Sequence, residues 1–275
     1  MDDAEVARLY ALVSSEFNQT PLATRDGFVH RTTSLGLRQM QMLARHLPPD
    51  GLLVDVGTGS GIAPRFARML GCRAISVDST DASGMSALEN VRLAGVEGYA
   101  CDILRDPLPV RSATADCVFF GDVIEHLIHS PKPALLEIFR VLKPGGVCIA
   151  TTPNATRLTV RLKLLLGYSN WPSIRDYFHE PGHYGHHHEY TPSDLRFAFE
   201  ETGFAVESLE LHEESLRAVP IRALSEMATH ARFKEMNQSK PEPLAFRIGK
   251  IPLIVLTNLF PNLRSTMLLV ARKPA

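Results

Sequence analysis

Two hydrophobic periodicities alternate along the middle of the chain. Short apolar runs at Leu52–Val56, Arg73–Asp78, Gly98–Cys101, Asp116–Phe120 and Val147–Thr151 read as strands, and the stretches between them carry helix signals. The first, fourth and fifth runs are almost continuously apolar, as in strands buried on both faces of a parallel sheet. Ser60–Leu70 opens a helix with Pro64 in its first turn, where a missing N–H costs little. Ser83 is placed to cap the next helix, which Gly95 ends. Pro131–Leu142 sets Leu135, Ile138, Phe139 and Leu142 on one stripe, and Lys143-Pro144-Gly145-Gly146 stops it. Thr191-Pro192-Ser193-Asp194 has the form of a capping box, opening a helix that runs to Gly203. Strand signals return at Phe204–Leu211 and Ser265–Ala271, making seven strands.

Alternating strands and helices predict an α/β fold with a mostly parallel sheet. Residues 1–47 read as a helical N-terminal extension, with Leu35, Gln39, Met42 and Leu43 on one side of a helix. Residues 48–275 then form the main domain, in which 155–190 and 212–264 are insertions. Long insertions at one end of a sheet build lids or binding surfaces.

Charge and cysteine usage narrow the function classes. The chain has 275 residues, with 29 lysines and arginines against 30 acidic residues. That balance gives no electrostatic basis for nucleic-acid binding, which rests on phosphate neutralisation. The first five residues, Met1-Asp2-Asp3-Ala4-Glu5, are acidic and lack a signal-peptide core. The most apolar stretch, Ile251–Phe260, is broken by Pro252 and is too short to span a bilayer. Cys72, Cys101, Cys117 and Cys148 show no CxxC spacing and read as packed, reduced thiols of a cytoplasmic protein.

The candidate chemistry begins at Leu52-Leu-Val-Asp-Val-Gly-Thr-Gly-Ser-Gly61, a buried strand running into a glycine turn and then a helix. Glycine suits a backbone that turns sharply and approaches a ligand without a Cβ in the way. Asp78 lies 21 residues beyond Gly57, at the end of the second strand, where a carboxylate can accept both hydroxyls of a ribose. A dinucleotide fingerprint would place its third glycine where Ile62 stands. Asp55 also precedes the turn, and its charge suits an ammonium or sulfonium better than a pyrophosphate.

Three further segments complete the pattern: Ala100-Cys101-Asp102-Ile103, Phe119-Phe-Gly-Asp-Val-Ile-Glu-His-Leu127, and Arg140-Val-Leu-Lys-Pro-Gly-Gly146 leading into Val147–Asn154. With the glycine turn and Asp78 before them, these segments resemble the class I S-adenosylmethionine-dependent methyltransferases, most closely the small-molecule branch. The resemblance spans residues 50–154 and resumes at 183–211. It implies a Rossmann-like seven-stranded sheet of order 3-2-1-4-5-7-6, with only strand 7 antiparallel. It further implies that Gly57, Thr58, Gly59 and Gly61 line the methionine part of S-adenosyl-L-methionine, with Asp55 orienting its amine. Asp78 and Ser79 would hold the ribose, Asp102 and Ile103 the adenine, and Gly121 and Asp122 would flank the cofactor. The long segment before the last strand departs from the family pattern, at the place that shapes the acceptor pocket.

A histidine cluster, His183-Tyr184-Gly-His186-His187-His188-Glu189-Tyr190, precedes the capping box. Similar His-x-x-Glu-Tyr-Thr patterns occur in small-molecule and sugar-modifying members of the family. A hydroxyl is a poor nucleophile until it loses its proton, and imidazole is suited to accept it. His186 is the first candidate for that base and His126 the second; Glu189 and Tyr190 can equally serve only to anchor the helix start. No metal site is assigned, since adjacent histidines seldom point the same way. The motifs of DNA amino-methyltransferases and the Pro-Cys loop of cytosine-C5 enzymes are absent. The acceptor is therefore expected to be a small molecule, sugar and lipid-linked hydroxyls included, with O-methylation as the leading chemistry. N- or C-methylation of a small molecule and NAD-dependent oxidation are the alternatives. Arg157–Gly167, a basic leucine-rich helix, reads as a lid or as a shallow membrane contact.

Overall fold

The apolar runs of the sequence assemble into one sheet in the computed structural model, which describes residues 1–21, 23, 30, 32–170, 178–179, 185–214 and 250–275. Its strands are β1 (Leu52–Val56), β2 (Arg73–Asp78), β3 (Glu97–Ala100), β4 (Ala115–Gly121), β5 (Leu142–Pro153), β6 (Ala205–His212) and β7 (Thr266–Arg272). The order is β3-β2-β1-β4-β5-β7-β6. Strands β1 to β5 pair in parallel, and β7 runs antiparallel to both β5 and β6. This is the order and the sense implied by the family resemblance.

The helices are α1 (Asp3–Asn18), α2 (Ser34–His46), α3 (Ile62–Met69), α4 (Ala82–Leu93), α5 (Lys132–Val141), α6 (Leu158–Leu165), α7 (Pro192–Glu200) and α8 (Ile251–Leu259). Their starts follow local chemistry. Asp2 and Thr33 cap α1 and α2, accepting from Glu5 N and Gly36 N at 2.8 and 2.9 Å. Thr191 and Asp194 close the expected capping box on α7. The cap of α4 differs from expectation: Asp81, not Ser83, occupies it and accepts from both Ser83 N and Gly84 N. A carboxylate outcompetes a hydroxyl there because it accepts two bonds and carries the charge that a helix N-terminus favours. The Lys143–Gly146 turn is absorbed into β5 as an irregularity in its pairing with β4, with Gly145 at φ +79°.

Alternate residues of the strands feed two cores, one on each face. Leu53, Cys117, Ile149 and Leu268 pack with Val13 and Phe17 of α1, Met40 and Leu43 of α2, and Phe66 of α3. Val54, Val118, Cys148 and Leu269 pack with Leu135 and Ile138 of α5 and Leu195 and Phe199 of α7. The N-terminal helices are thus part of the main core. Arg38 of α2 also makes a two-pronged pair with Glu210 of β6, at 2.6 and 2.9 Å. All four cysteines are free and buried.

The described parts of the two insertions gather at the carboxyl end of β5. Asn154 bridges to Tyr190, and its Nδ2 donates to Asn262 O and Arg264 O at 3.0 and 2.9 Å. Residues 171–177, 180–184 and 215–249, which include His183 and Tyr184 and most of the second insertion, lie outside the described residues. Among those described, no helix is long and apolar enough to cross a membrane.

Candidate active site

The end of β1 enters Gly57-Thr58-Gly59-Ser60-Gly61, from which α3 departs. All three glycines have positive φ, at +80°, +50° and +70°. A Cβ at Gly57 would meet Val123 Cγ2 at 2.1 Å, and one at Gly61 would meet Val91 Cγ1 at 2.4 Å. At Gly59 the same atom would meet nothing within 4 Å. Packing therefore demands glycine at two positions, while the third faces open space with its backbone exposed to a ligand.

That space is a cavity of about 600 Å³ including its open mouth. Asp55, Gly57, Thr58, Gly59, Gly121 and Asp122 line one side. Tyr10, His30, Gln39 and Met40 line the other. Helix α2 is anchored over the strand ends by Gln39 Nε2, which donates to Thr151 Oγ1 at 3.1 Å. The N-terminal extension is therefore a wall of the pocket. Of these four, only Gln39 belongs to the helix side picked out by the sequence pattern.

Asp55 is 1% exposed, and its Oδ2 and the Oγ1 of Thr58 lack hydrogen-bond partners. Burial pushes the Asp55 carboxyl up to about 7. Buried polar atoms left unpaired beside a cavity are costly until a ligand satisfies them, and a cationic donor such as an ammonium does so best. At the neighbouring strand end, Asp78 accepts from Gly59 N at 3.1 Å and from Ser79 N at 2.7 Å. Its carboxylate is held at the rim of the turn. Asp102 and Ile103 do not line the cavity. Asp102 follows β3, accepts from Leu104 N at 3.1 Å and pairs with Arg105 at 3.5 Å. The adjacent Cys101 N donates to Asp78 O at 2.9 Å, which ties the two strand ends together.

A second group of side chains adjoins the pocket at Asp122. This residue is a non-glycine with φ +55°, a sparsely populated conformation that clusters at functional sites. Beyond it a single 3-10 turn, Ile124–His126, presents Glu125 and His126. Glu125 is 1% exposed, and its Oε2 accepts from Thr152 Oγ1 at 2.9 Å. Burial, reinforced by the nearby Asp122 carboxylate, pushes Glu125 up to about 8. Its backbone carbonyl accepts from His187 N at 2.7 Å, which brings the histidine loop onto the turn.

Within that loop His186 Nδ1 lies 2.7 Å from Glu189 Oε1. Arg157 grips Glu189 with both nitrogens, at 2.5 and 3.0 Å, and Asn170 donates to it at 2.9 Å. Although burial opposes ionisation, the His186 and Arg157 bonds hold Glu189 down at about 2. Burial likewise works against the His186 cation, but Glu189 and Glu125 outweigh it and raise its pKa. The His126 and His186 rings meet edge to face, 4.9 Å between centroids, and His126 Nδ1 lies 3.2 Å from Gly185 O. So the two expected base candidates, 60 residues apart in sequence, share one site with Glu125. Sequence reading missed Glu125 and Arg157, although Glu125 stood beside His126 in a quoted motif.

Comparison with known proteins agrees with this fold. The family model described as a methyltransferase domain matches residues 30–209. A dimethylglycine N-methyltransferase of Parasynechococcus marenigrum is 33% identical over 142 residues, covering 48% of each chain. The ribosomal protein L11 methyltransferase of Listeria innocua is 31% identical over 127 residues, covering 44% of this chain and 37% of its own. The matches thus span about half or less of these curated relatives. Among solved structures, Haemonchus contortus phosphoethanolamine N-methyltransferase 2, in complex with S-adenosyl-L-methionine, superposes with a TM-score of 0.55 at 18% identity. That match covers all of this chain and 58% of the other. The nicotinamide alternative is thereby set aside. The chain belongs to the methyltransferase-domain family.

Proposed function

We propose that the enzyme methylates an oxygen of a small hydroxylated acceptor bound between the cofactor pocket and the Glu125–His126–His186 cluster. The carrying observation is that the two imidazoles, each with Nδ1 engaged by an acceptor, adjoin the pocket wall at Asp122. Bound S-adenosylmethionine supplies an electrophilic methyl on a sulfonium, which leaves as a neutral thioether. The chain's own residues then have defined tasks. Asp55 takes the cofactor's ammonium, Gly57 to Gly61 give it room, and Asp78 with Ser79 takes the ribose hydroxyls. Asp102 and Ile103 receive the adenine edge and ring beyond β3, and Gly121 and Asp122 separate cofactor from acceptor. The acceptor's hydroxyl proton is lost at the histidine pair, where Glu189 orients His186 and Arg157 fixes Glu189. The exposed Leu164, Leu165 and Leu166 at the end of α6, beside Arg161 and Lys163, favour a lipid-linked version of such an acceptor.

A small amine is the second reading. It is favoured by the likeness to a protein named for N-methylation of dimethylglycine, and by the carboxylates of Asp122 and Glu125, which would attract a cation. Mass spectrometry on reactions with paired hydroxyl and amine acceptors should find a one-methylene mass gain on the hydroxyl members. His186→Ala should lower kcat by ~10²–10⁴ and leave S-adenosylhomocysteine affinity unchanged. Methylation of amines only, or full kcat in the variant, would remove this reading.

A further inference from the structure

We propose that Glu125, His126 and His186 bind a divalent transition-metal ion, which receives the oxygen of the acceptor. This rests on the reading of that pocket end as the acceptor site.

Among the described residues these three alone form a group of metal-ligating side chains, each offering one ligand atom, with all three atoms within 4.8 Å of one another. Donors bound to one ion at about 2.1 Å stand roughly 3.4 Å apart in a tetrahedral shell, so side-chain rotations of about an ångström close the site. The chain brings the ligands together by topology. Glu125 and His126 come from the turn after β4, and His186 comes from a loop fastened to that turn through His187 N and Glu125 O.

The outer contacts match what a metal site requires. A ligating imidazole almost always gives its second nitrogen to a carboxylate or a carbonyl, which fixes the tautomer and the ring plane. His186 Nδ1 does this with Glu189 Oε1, and His126 Nδ1 does it with Gly185 O. In the neutral form each ring therefore carries its lone pair on Nε2. Neither Nε2 has a hydrogen-bond partner among the described residues. Glu189 is in turn held by Arg157 and Asn170.

Charge points the same way. Asp122 and Glu125 form no ion pair with a lysine or an arginine among the described residues, although Glu125 is buried. Ionising both acids calls for a cation, and the mixed nitrogen and oxygen donors select zinc, cobalt or manganese over magnesium or calcium. Three protein ligands leave positions open for substrate, the arrangement of catalytic rather than structural sites. A hydroxyl coordinated there loses its proton to a solvent water more readily, because the ion stabilises the alkoxide. The oxygen lone pair then attacks the methyl carbon as the carbon–sulfur bond breaks toward sulfur. In an ion-free chain, His186 Nε2 is what remains to take the proton.

The test is Co²⁺ titration of the full chain after dialysis against a chelator, read by visible absorption, with Zn²⁺ as competitor. One Co²⁺ per chain should bind, be displaced by Zn²⁺, and be unaffected by excess Mg²⁺. Glu125→Gln, His126→Ala and His186→Ala should each abolish the spectrum. Glu189→Gln should weaken Co²⁺ binding ~10–100-fold. Each variant is accepted as folded if S-adenosylhomocysteine still raises its melting temperature. No Co²⁺ spectrum in the wild-type chain overturns the site, as does a spectrum that survives in the ligand variants. Those results leave hydroxyl methylation standing if product still forms in chelator. A Co²⁺ site with the expected mutational pattern, but with products methylated only on amines, would keep the metal and overturn the hydroxyl reading.

Discussion

With Asp55 in its proposed role against the cofactor's ammonium, a single residue couples cofactor binding to pH. Its carboxyl is raised from 3.8 to about 7 by burial, so in the ligand-free chain the folded state keeps a proton that the unfolded state gives up. The contribution to stability is full below the lower value and is lost as pH rises through the higher one. An ammonium placed against Asp55 reverses the preference by stabilising the ionised form. S-adenosylhomocysteine binding should therefore tighten as pH rises from about 5.5 to 8, by at most tenfold per pH unit for one linked proton. Asp55→Asn should flatten that profile and weaken binding at the upper end. His30 also lines this cavity, and the asparagine variant isolates the Asp55 share from that of the imidazole. Calorimetry across the pH range decides it: an unchanged slope in the variant would assign the linked proton elsewhere.

Helix α1 illustrates what an element gains from tertiary contact. Its apolar residues Val6, Tyr10, Val13 and Phe17 are all buried, and Phe17 is wholly so. Isolated, a helix of 16 residues is marginal in water; its stability comes from the face it packs. Phe17→Ala should thus destabilise the chain by ~3–5 kcal/mol, measured by urea denaturation. Because Tyr10 on the same helix lines the cavity proposed for the cofactor, the variant should also weaken S-adenosylhomocysteine binding. Loss of stability below about 1 kcal/mol would show that α1 is peripheral to the core. The sequence showed this region to be helical. It did not show that the extension closes the pocket, since helical periodicity reveals an apolar face but not its partner.

At the scale of the whole molecule, both cores share one sheet. Leu53 and Val54, adjacent in β1, belong to opposite faces, so disruption of either face reaches the same strands. The N-terminal helices and the rest should therefore open as one unit, although residues 1–47 read from sequence as an appendage. Native-state hydrogen exchange tests this: amides of α1 near Val13 and of β4 near Val118 should converge on one opening free energy as urea is added. S-adenosylhomocysteine should raise both together. If α1 exchanged at a much lower free energy with no response to ligand, the extension would be an independent unit.

Local sequence specifies the elements and supplies the residues proposed to hold the cofactor. Strand runs, the capping box at Thr191, the glycine turn and Asp78 all lie in short contiguous segments, and local propensity and steric demand act over such distances. The full strand order followed only from the family resemblance, because periodicity does not say which strand lies beside which. The surroundings of the proposed acceptor end come from the tertiary structure. His126 and His186 were each visible as candidates, but their meeting depends on a loop folding back across β4 and β5. The value of Glu125 depends on its burial, which no neighbour in sequence reports. The support of His186 by Arg157 through Glu189 joins residues 32 positions apart in one ion pair, and the wall formed by Tyr10 and Gln39 comes from helices placed by the core. Backbone conformation is set by neighbours in the chain, whereas charge, desolvation and ligand geometry are set by neighbours in space.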